Sequence, residues 1–169
     1  MWIRLIPIIL LVIGEAVLIY YIIIFLMRRH RTIHQRRVAE LASAIAREMN
    51  LSPKLVKMLL MFGVLRDPDL TESRYPGAKT AVQYNQRLNG SGYPQKLAGD
   101  NILLEARIMA VADMAETMSS PKPNRPETSL IKILEDIKWS SIALYDTEVV
   151  KALTRLVNRG NFKFRTHYI

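Results

Sequence analysis

No cysteine occurs in the chain, which excludes a disulfide framework and a thiolate metal site and leaves the redox compartment open. Acidic residues are short against basic ones, 15 to 24, and the resulting net charge of +9 is spread unevenly. Charge of either sign is nearly absent from residues 5–27. There is no internal repeat and no low-complexity segment. A length of 169 residues leaves room for at most one compact domain with an attachment.

What is present begins with that apolar run. Its length is roughly the twenty-odd residues a helix needs to cross a bilayer. A cleaved signal peptide is the competing reading. Against it, the run is too long, the positive charge lies mainly after it, and no small-x-small cleavage site follows. Arg28, Arg29, Arg31, Arg36 and Arg37 come next. Such a cluster directly after an apolar span reads as a membrane flank rather than a nucleic-acid contact, and it places the C-terminal side in the cytoplasm. Trp2 at one end and Tyr20 and Tyr21 towards the other suit the two interfaces. Glu15 breaks the pattern near mid-span, where a carboxylate costs several kcal/mol unless protonated, paired or hydrogen-bonded. Its neighbours Gly14 and Ala16 would let another helix approach closely, which predicts an intramembrane helix contact at Gly14, Glu15 and Ala16. A protonated Glu15 in a very hydrophobic helix is the alternative.

From His30 the pattern turns amphipathic. Val38, Leu41, Ala42, Ile45 and Met49 recur at helical spacing, so the helix is expected to continue from the anchor and to close at Asn50-Leu51. Ser52-Pro53 opens the next with a cap residue and a first-turn proline, and Leu55, Leu59, Leu60 and Phe62 give it a buried face. Further helices are expected over residues 78–88, 102–119 and 128–138. A last helix follows Tyr145-Asp146, with Val149, Val150, Leu153, Leu156 and Val157 as its buried stripe and Gly160 as its stop. In the tail, Phe162, Phe164 and Tyr168 interleave with Lys163, Arg165 and His167, which suits a partner, a headgroup layer or nucleic acid, and equally a frayed terminus.

Two motifs in the second half carry more information. Asn89-Gly90-Ser91-Gly92-Tyr93-Pro94 is a turn: two glycines allow positive φ, and Tyr-Pro fixes an extended exit. Ala106-Arg107-Ile108-Met109-Ala110-Val111-Ala112-Asp113 is a helix with one aspartate set among small and apolar residues. A carboxylate in that position needs a partner, a hydrogen bond or a metal.

These stretches, in this order, resemble the HD-GYP family of bacterial metal-dependent phosphodiesterases that cut cyclic di-GMP. Residues 89–94 match its D-G-x-G-Y-P with asparagine for aspartate, residues 106–113 match A-R-I-x-A-V-A-D, and Lys122-Pro123-Asn124-Arg125 is an eroded R-P-Y-R. His34-Gln35-Arg36-Arg37-Val38-Ala39 looks like the H-x-x-R-V-A that opens such domains, and Tyr145-Asp146-Thr147-Glu148-Val149-Val150 like the F-D-P-x-V-V that caps the last helix.

The resemblance implies an all-α fold: a single transmembrane helix followed by a shortened HD-domain-like helical bundle. The expected division is residues 1–29 as anchor and basic flank, 30–160 as the domain, and 161–169 as the tail. In the family's pattern H-D-x-G-K falls on Arg66-Asp67-Pro68-Asp69-Leu70 and H-H-E on Tyr84-Asn85-Gln86. An arginine cannot replace a ligand histidine. Of the implied metal ligands His34, Asp67 and Asp113 survive, with His30 at a fourth position. Gly92, Tyr93, Pro94, Lys122 and Arg125 are the implied partner or phosphate contacts. The expectation is therefore a protein without catalysis, cofactor or bound metal at the bacterial inner membrane. It would act as an interaction subunit with other membrane proteins, its amino terminus outside and its domain cytoplasmic, and bind no nucleic acid. Two alternatives stand beside this: a metal-dependent phosphodiesterase acting on cyclic di-GMP, and a non-hydrolysing cyclic-dinucleotide receptor.

Overall fold

A computed structural model of the chain describes residues 6–64, 80, 83–121, 124, 126–140 and 143–164. Every regular element among them is helical: α1 (Ile6–Glu48), α2 (Pro53–Val64), a 3-10 turn (Gly99–Asn101), α3 (Leu104–Ser119), α4 (Leu130–Ser140) and α5 (Thr147–Asn158). The all-α expectation holds. The chain divides into two compact units, Met1–Ile33 and His34–Ile169.

In the first unit, α1 carries a sleeve of exposed apolar side chains. Ile13, Val17, Tyr20, Tyr21, Phe25 and Met27 are all large and exposed. Among the described residues, however, no helix is long and apolar enough to cross a membrane. The transmembrane anchor is thus not supported. Gly14, Glu15 and Ala16 are exposed on this helix, and a Cβ added at Gly14 would meet open space.

The second unit is built around the amphipathic end of α1. Val38, Leu41, Ala42 and Ile45 are fully buried, as their helical spacing predicts. They pack with Val56 and Leu59 of α2, Ile108, Val111, Ala112 and Ala115 of α3, and Val149, Leu153 and Leu156 of α5. The alanines of α3 matter here, because small side chains let neighbouring helices approach while leaving the longer ones to interdigitate. α1 ends as expected: Asn50 takes φ 55, and Leu51 N–H reaches back to Ala46 O at 3.0 Å, a left-handed cap.

α5 shows the clearest link from sequence to packing. Its stripe Val149, Ala152, Leu153, Leu156 and Val157 is buried, and each large apolar side chain so placed contributes roughly 1.5–3 kcal/mol. Asp146 starts the helix, its Oδ1 accepting from Glu148 N–H at 2.9 Å and Val149 N–H at 3.4 Å. Its other oxygen accepts from Arg107 Nη1 of α3 at 2.8 Å. One carboxylate thus caps α5 and ties it to α3. At the far end Glu48 of α1 receives Arg155 at 3.1 Å and Arg159 at 3.0 Å.

Several boundaries differ from expectation. Of the helix expected over 78–88, residues 78, 79, 81 and 82 lie outside the described residues; Thr80 and Gln83 are helical, Tyr84 N–H reaches Thr80 O at 3.0 Å, and a turn follows at Tyr84-Asn85. α3 begins at Leu104 with Leu103 as N-cap and no side-chain cap bond, because Asp100 and Asn101 are used in the preceding 3-10 turn. The tail is not a loose end throughout. Phe162 and Phe164 pack partly buried against the core, edge to face at 5.2 Å.

Replacing Asp146 with alanine removes both the cap and the tie to Arg107, and should cost about 2–4 kcal/mol. Asp146→Asn keeps a capping oxygen and loses only the charge, so it should cost clearly less. Chemical denaturation midpoints of the two variants check this ordering.

Candidate functional site

The aspartate singled out in the sequence does find partners. Asp113 of α3 and His34 of α1 lie side by side although 79 residues apart, with His34 Nε2 at 3.1 Å from Asp113 Oδ1. The other ring nitrogen, Nδ1, lies 2.5 Å from Glu116 Oε2. Both nitrogens therefore face carboxylates. Glu116 stands one helical turn beyond Asp113, and Arg37 one turn beyond His34, so two i,i+3 pairs meet across the helix interface.

Glu116 is 2% exposed, and a carboxylate that deep must be compensated. Its Oε1 accepts from Ser120 Oγ at 2.5 Å and lies 3.4 Å from Arg37 Nε, an ion-pair distance outside hydrogen-bond geometry. Burial pushes the Glu116 carboxyl up. The hydrogen bonds from His34 and Ser120, with the charges of His34 and Arg37, outweigh it and leave the group below its ordinary value of 4.5. His34 moves the other way. Its hydrogen bonds to Asp113 and then Glu116 outweigh burial and raise it from 6.5 to about 9. At neutral pH the metal-free site is an imidazolium between two carboxylates.

The other expected residues are placed as follows. Asp67, Lys122 and Arg125 lie outside the described residues, as do the side chain of His30 and the segment 66–70. Gly92 is buried, while Tyr93 and Pro94 are exposed, Tyr93 at 66%. The turn holding them is firmly fastened. Asn89 Oδ1 accepts from Ser91 N–H at 3.0 Å and Ser91 Oγ at 2.7 Å, and Gly90 takes φ 78. Gly92 is required for a different reason than expected: a Cβ there would be driven into the backbone of Asn85, Gln86 and Arg87. Gln86, where the family pattern has glutamate, is 2% exposed and accepts from Leu97 N–H through Oε1 at 2.9 Å. It pins the far side of the loop.

Glu116, Ser120 and Arg37 were missed as site residues. The spacing of Glu116 from Asp113 on one helix face was the available signal. Arg37 reads in sequence as part of a basic flank, yet its side chain is only 13% exposed and belongs to this network.

A divalent metal is what the resemblance implies, and the donor set partly fits one. Imidazole nitrogen and carboxylate oxygen are the donors that hard-to-borderline divalent ions take, and His34 Nε2 and Asp113 Oδ1 already converge. Among the described residues no group of three such side chains is arranged to hold an ion.

Comparison with known proteins bears on the same residues. The HD-domain family profile matches residues 69–149. The chain is 30% identical to the cyclic di-GMP phosphodiesterase response regulator RpfG of Xanthomonas campestris, the match covering 70% of this chain and 41% of that protein. It is 27% identical to 3'3'-cGAMP-specific phosphodiesterase 1 of Vibrio cholerae, over 72% of this chain and 37% of the relative. It is 29% identical to a cyclic di-GMP phosphodiesterase of Thermotoga maritima, over 77% and 45%. These matches support an HD-GYP-like domain. The chain spans less than half the length of each of these curated relatives.

They also correct the expected function. The sequence points to a non-catalytic interaction subunit because several ligand positions are substituted. The relatives bear phosphodiesterase names, and two of the surviving ligand positions, His34 and Asp113, are brought together by the fold.

The raised His34 pKa stabilises the metal-free fold fully below about 6.5, and that contribution is lost as pH rises through about 9. The lowered Glu116 pKa contributes above its ordinary 4.5 and is lost as pH falls below it. Metal-free protein should therefore be most stable between these limits. By pH 10 it should have lost up to about 3 kcal/mol, and Glu116→Gln should shrink that loss. Denaturation midpoints across pH 4–10, with His34 followed by NMR, measure both.

Proposed function

We propose that this chain is a metal-dependent phosphodiesterase acting on a cyclic dinucleotide, cyclic di-GMP or 3'3'-cGAMP. The observation that carries the reading is His34 Nε2 at 3.1 Å from Asp113 Oδ1. That contact puts one nitrogen and one oxygen donor from distant parts of the chain at a single point. The names of the relatives support the substrate class.

His34 and Asp113 would hold the ion, and Asp67 is the third donor the family resemblance offers. A divalent ion supplies Lewis acidity to a phosphodiester and makes water a usable nucleophile at neutral pH. The chain's own part is orientation. Glu116 holds Nδ1 of His34 and so fixes which ring nitrogen is presented to Asp113. The proton on Nε2 must leave before that nitrogen can act as a donor, so loading is favoured as pH rises. Tyr93, exposed on a fastened loop, offers an aromatic face to a base, and Lys122 and Arg125 offer charge to the phosphates.

Full-length protein loaded with manganese or ferrous iron should convert cyclic di-GMP or 3'3'-cGAMP to a linear dinucleotide, resolved by chromatography. His34→Ala and Asp113→Ala should each reduce turnover to the no-protein background. Absence of cleavage with every divalent ion tried, or unchanged turnover in both variants, would refute the assignment.

A further inference from the structure

The mechanism above uses His34, Asp113 and Glu116 but gives no role to the residues that fix Glu116. The guanidinium of Arg37 is enclosed on three sides. Its carbon sits 4.2 Å from the centroid of the Phe164 ring. Nη1 donates to Ser120 Oγ at 3.4 Å, and Nη2 donates to Glu127 Oε1 at 3.5 Å. Nε faces Glu116 Oε1 at 3.4 Å. Ser120 in turn donates to that same Oε1 at 2.5 Å. Among the described residues, the Glu116 carboxylate is thus met, besides His34, by Arg37 and by Ser120, itself a partner of Arg37. Phe164 is seated by Phe162, and both are packed on the core.

We infer that Arg37 is a positioning residue for the metal-ligand pair. On this account, residues 161–164, folding back after α5, complete the site from outside it. The chain of contacts is Phe164 on Arg37, Arg37 on Glu116, Glu116 on His34 Nδ1, and His34 Nε2 toward Asp113. A planar guanidinium suits this place, because it stacks on an aromatic face while its edge nitrogens reach separate oxygens. A lysine would keep the charge and lose that spread of contacts. The pair with Glu127 is largely solvent-facing and contributes little. The aromatic face and Ser120 carry the positioning.

The inference rests on the phosphodiesterase reading for its purpose, and its test does not depend on turnover. Phe164→Leu keeps the apolar packing and removes the ring face, Phe164→Tyr restores the ring, and Arg37→Lys keeps the charge alone. In metal-free protein of unchanged helical content, Phe164→Leu and Arg37→Lys should lose the downfield His34 Nδ1–H resonance. With manganese added they should bind it about tenfold more weakly. Phe164→Tyr should match the parent in both. Parent-like resonance and manganese affinity in Phe164→Leu and Arg37→Lys would overturn the inference. If the parent binds no manganese and shows no turnover, the proposed function falls. The imidazole resonance still decides whether Phe164 and Arg37 set His34.

Discussion

The second unit of this protein is organised around a buried carboxylate that cannot stand alone. Glu116 is enclosed on α3, and its charge is tolerated because His34 and Arg37 of α1 and Ser120 at the end of α3 supply hydrogen bonds and positive charge. Removing one member of such a set leaves another buried charge without compensation, which costs several kcal/mol where the burial is complete. The contact also fixes register. With His34 and Arg37 a turn apart on α1, and Asp113 and Glu116 a turn apart on α3, the helices meet in only one alignment that satisfies all four.

Around this polar seam the packing is ordinary helix chemistry. Fully buried Val38, Leu41 and Ile45 follow the polar pair His34 and Arg37 along α1. Ala106, Ala112 and Ala115 keep α3 slim where it is surrounded. Asp146 and Arg107 hold α5 to α3 on the other side. The seam itself opens towards solvent at His34 and Asp113, whose side chains keep 26% and 28% of their exposure. Exposure at the ligand pair with burial at its support is the arrangement a site needs if it is to be reached without being floppy.

Much of this was legible in the sequence. The amphipathic stripe of α1, its stop at Asn50, the Asp146 cap and the stripe of α5 all follow local rules, and the structure repeats them. Asp113 stood out because a carboxylate among alanines and a valine has no bland explanation. The partners were harder to find. Glu116 and Arg37 look like ordinary charged helix residues until tertiary contact removes them from water, and no local pattern records that. Phe164 lies in a tail whose composition fits several surfaces, and only packing chooses among them. In sequence Gly92 reads as a glycine that allows positive φ, whereas its requirement is close approach to the backbone of Asn85, Gln86 and Arg87, which only the folded loop reveals. The apolar run at the amino end is read in sequence by length and composition alone, and among the described residues no helix is long and apolar enough to cross a membrane. Substituted ligand positions led the sequence reading away from an enzyme. The alignment to the Xanthomonas relative extends over 156 positions while using 70% of this chain, so that relative carries residues with no counterpart here. A position-by-position transfer of ligands across such a gap says little about which donors a fold finally gathers.

The account depends on His34 and Glu116 being energetically one unit. A double-mutant cycle tests this directly: His34→Ala, Glu116→Ala and the double variant, each measured by denaturant unfolding of the metal-free protein near pH 6. The account predicts a coupling energy of about 1–3 kcal/mol, with the double variant less destabilised than the sum of the singles. Additive losses, within about 0.5 kcal/mol, would mean that the two side chains do not act on one another and that the site is not assembled as described.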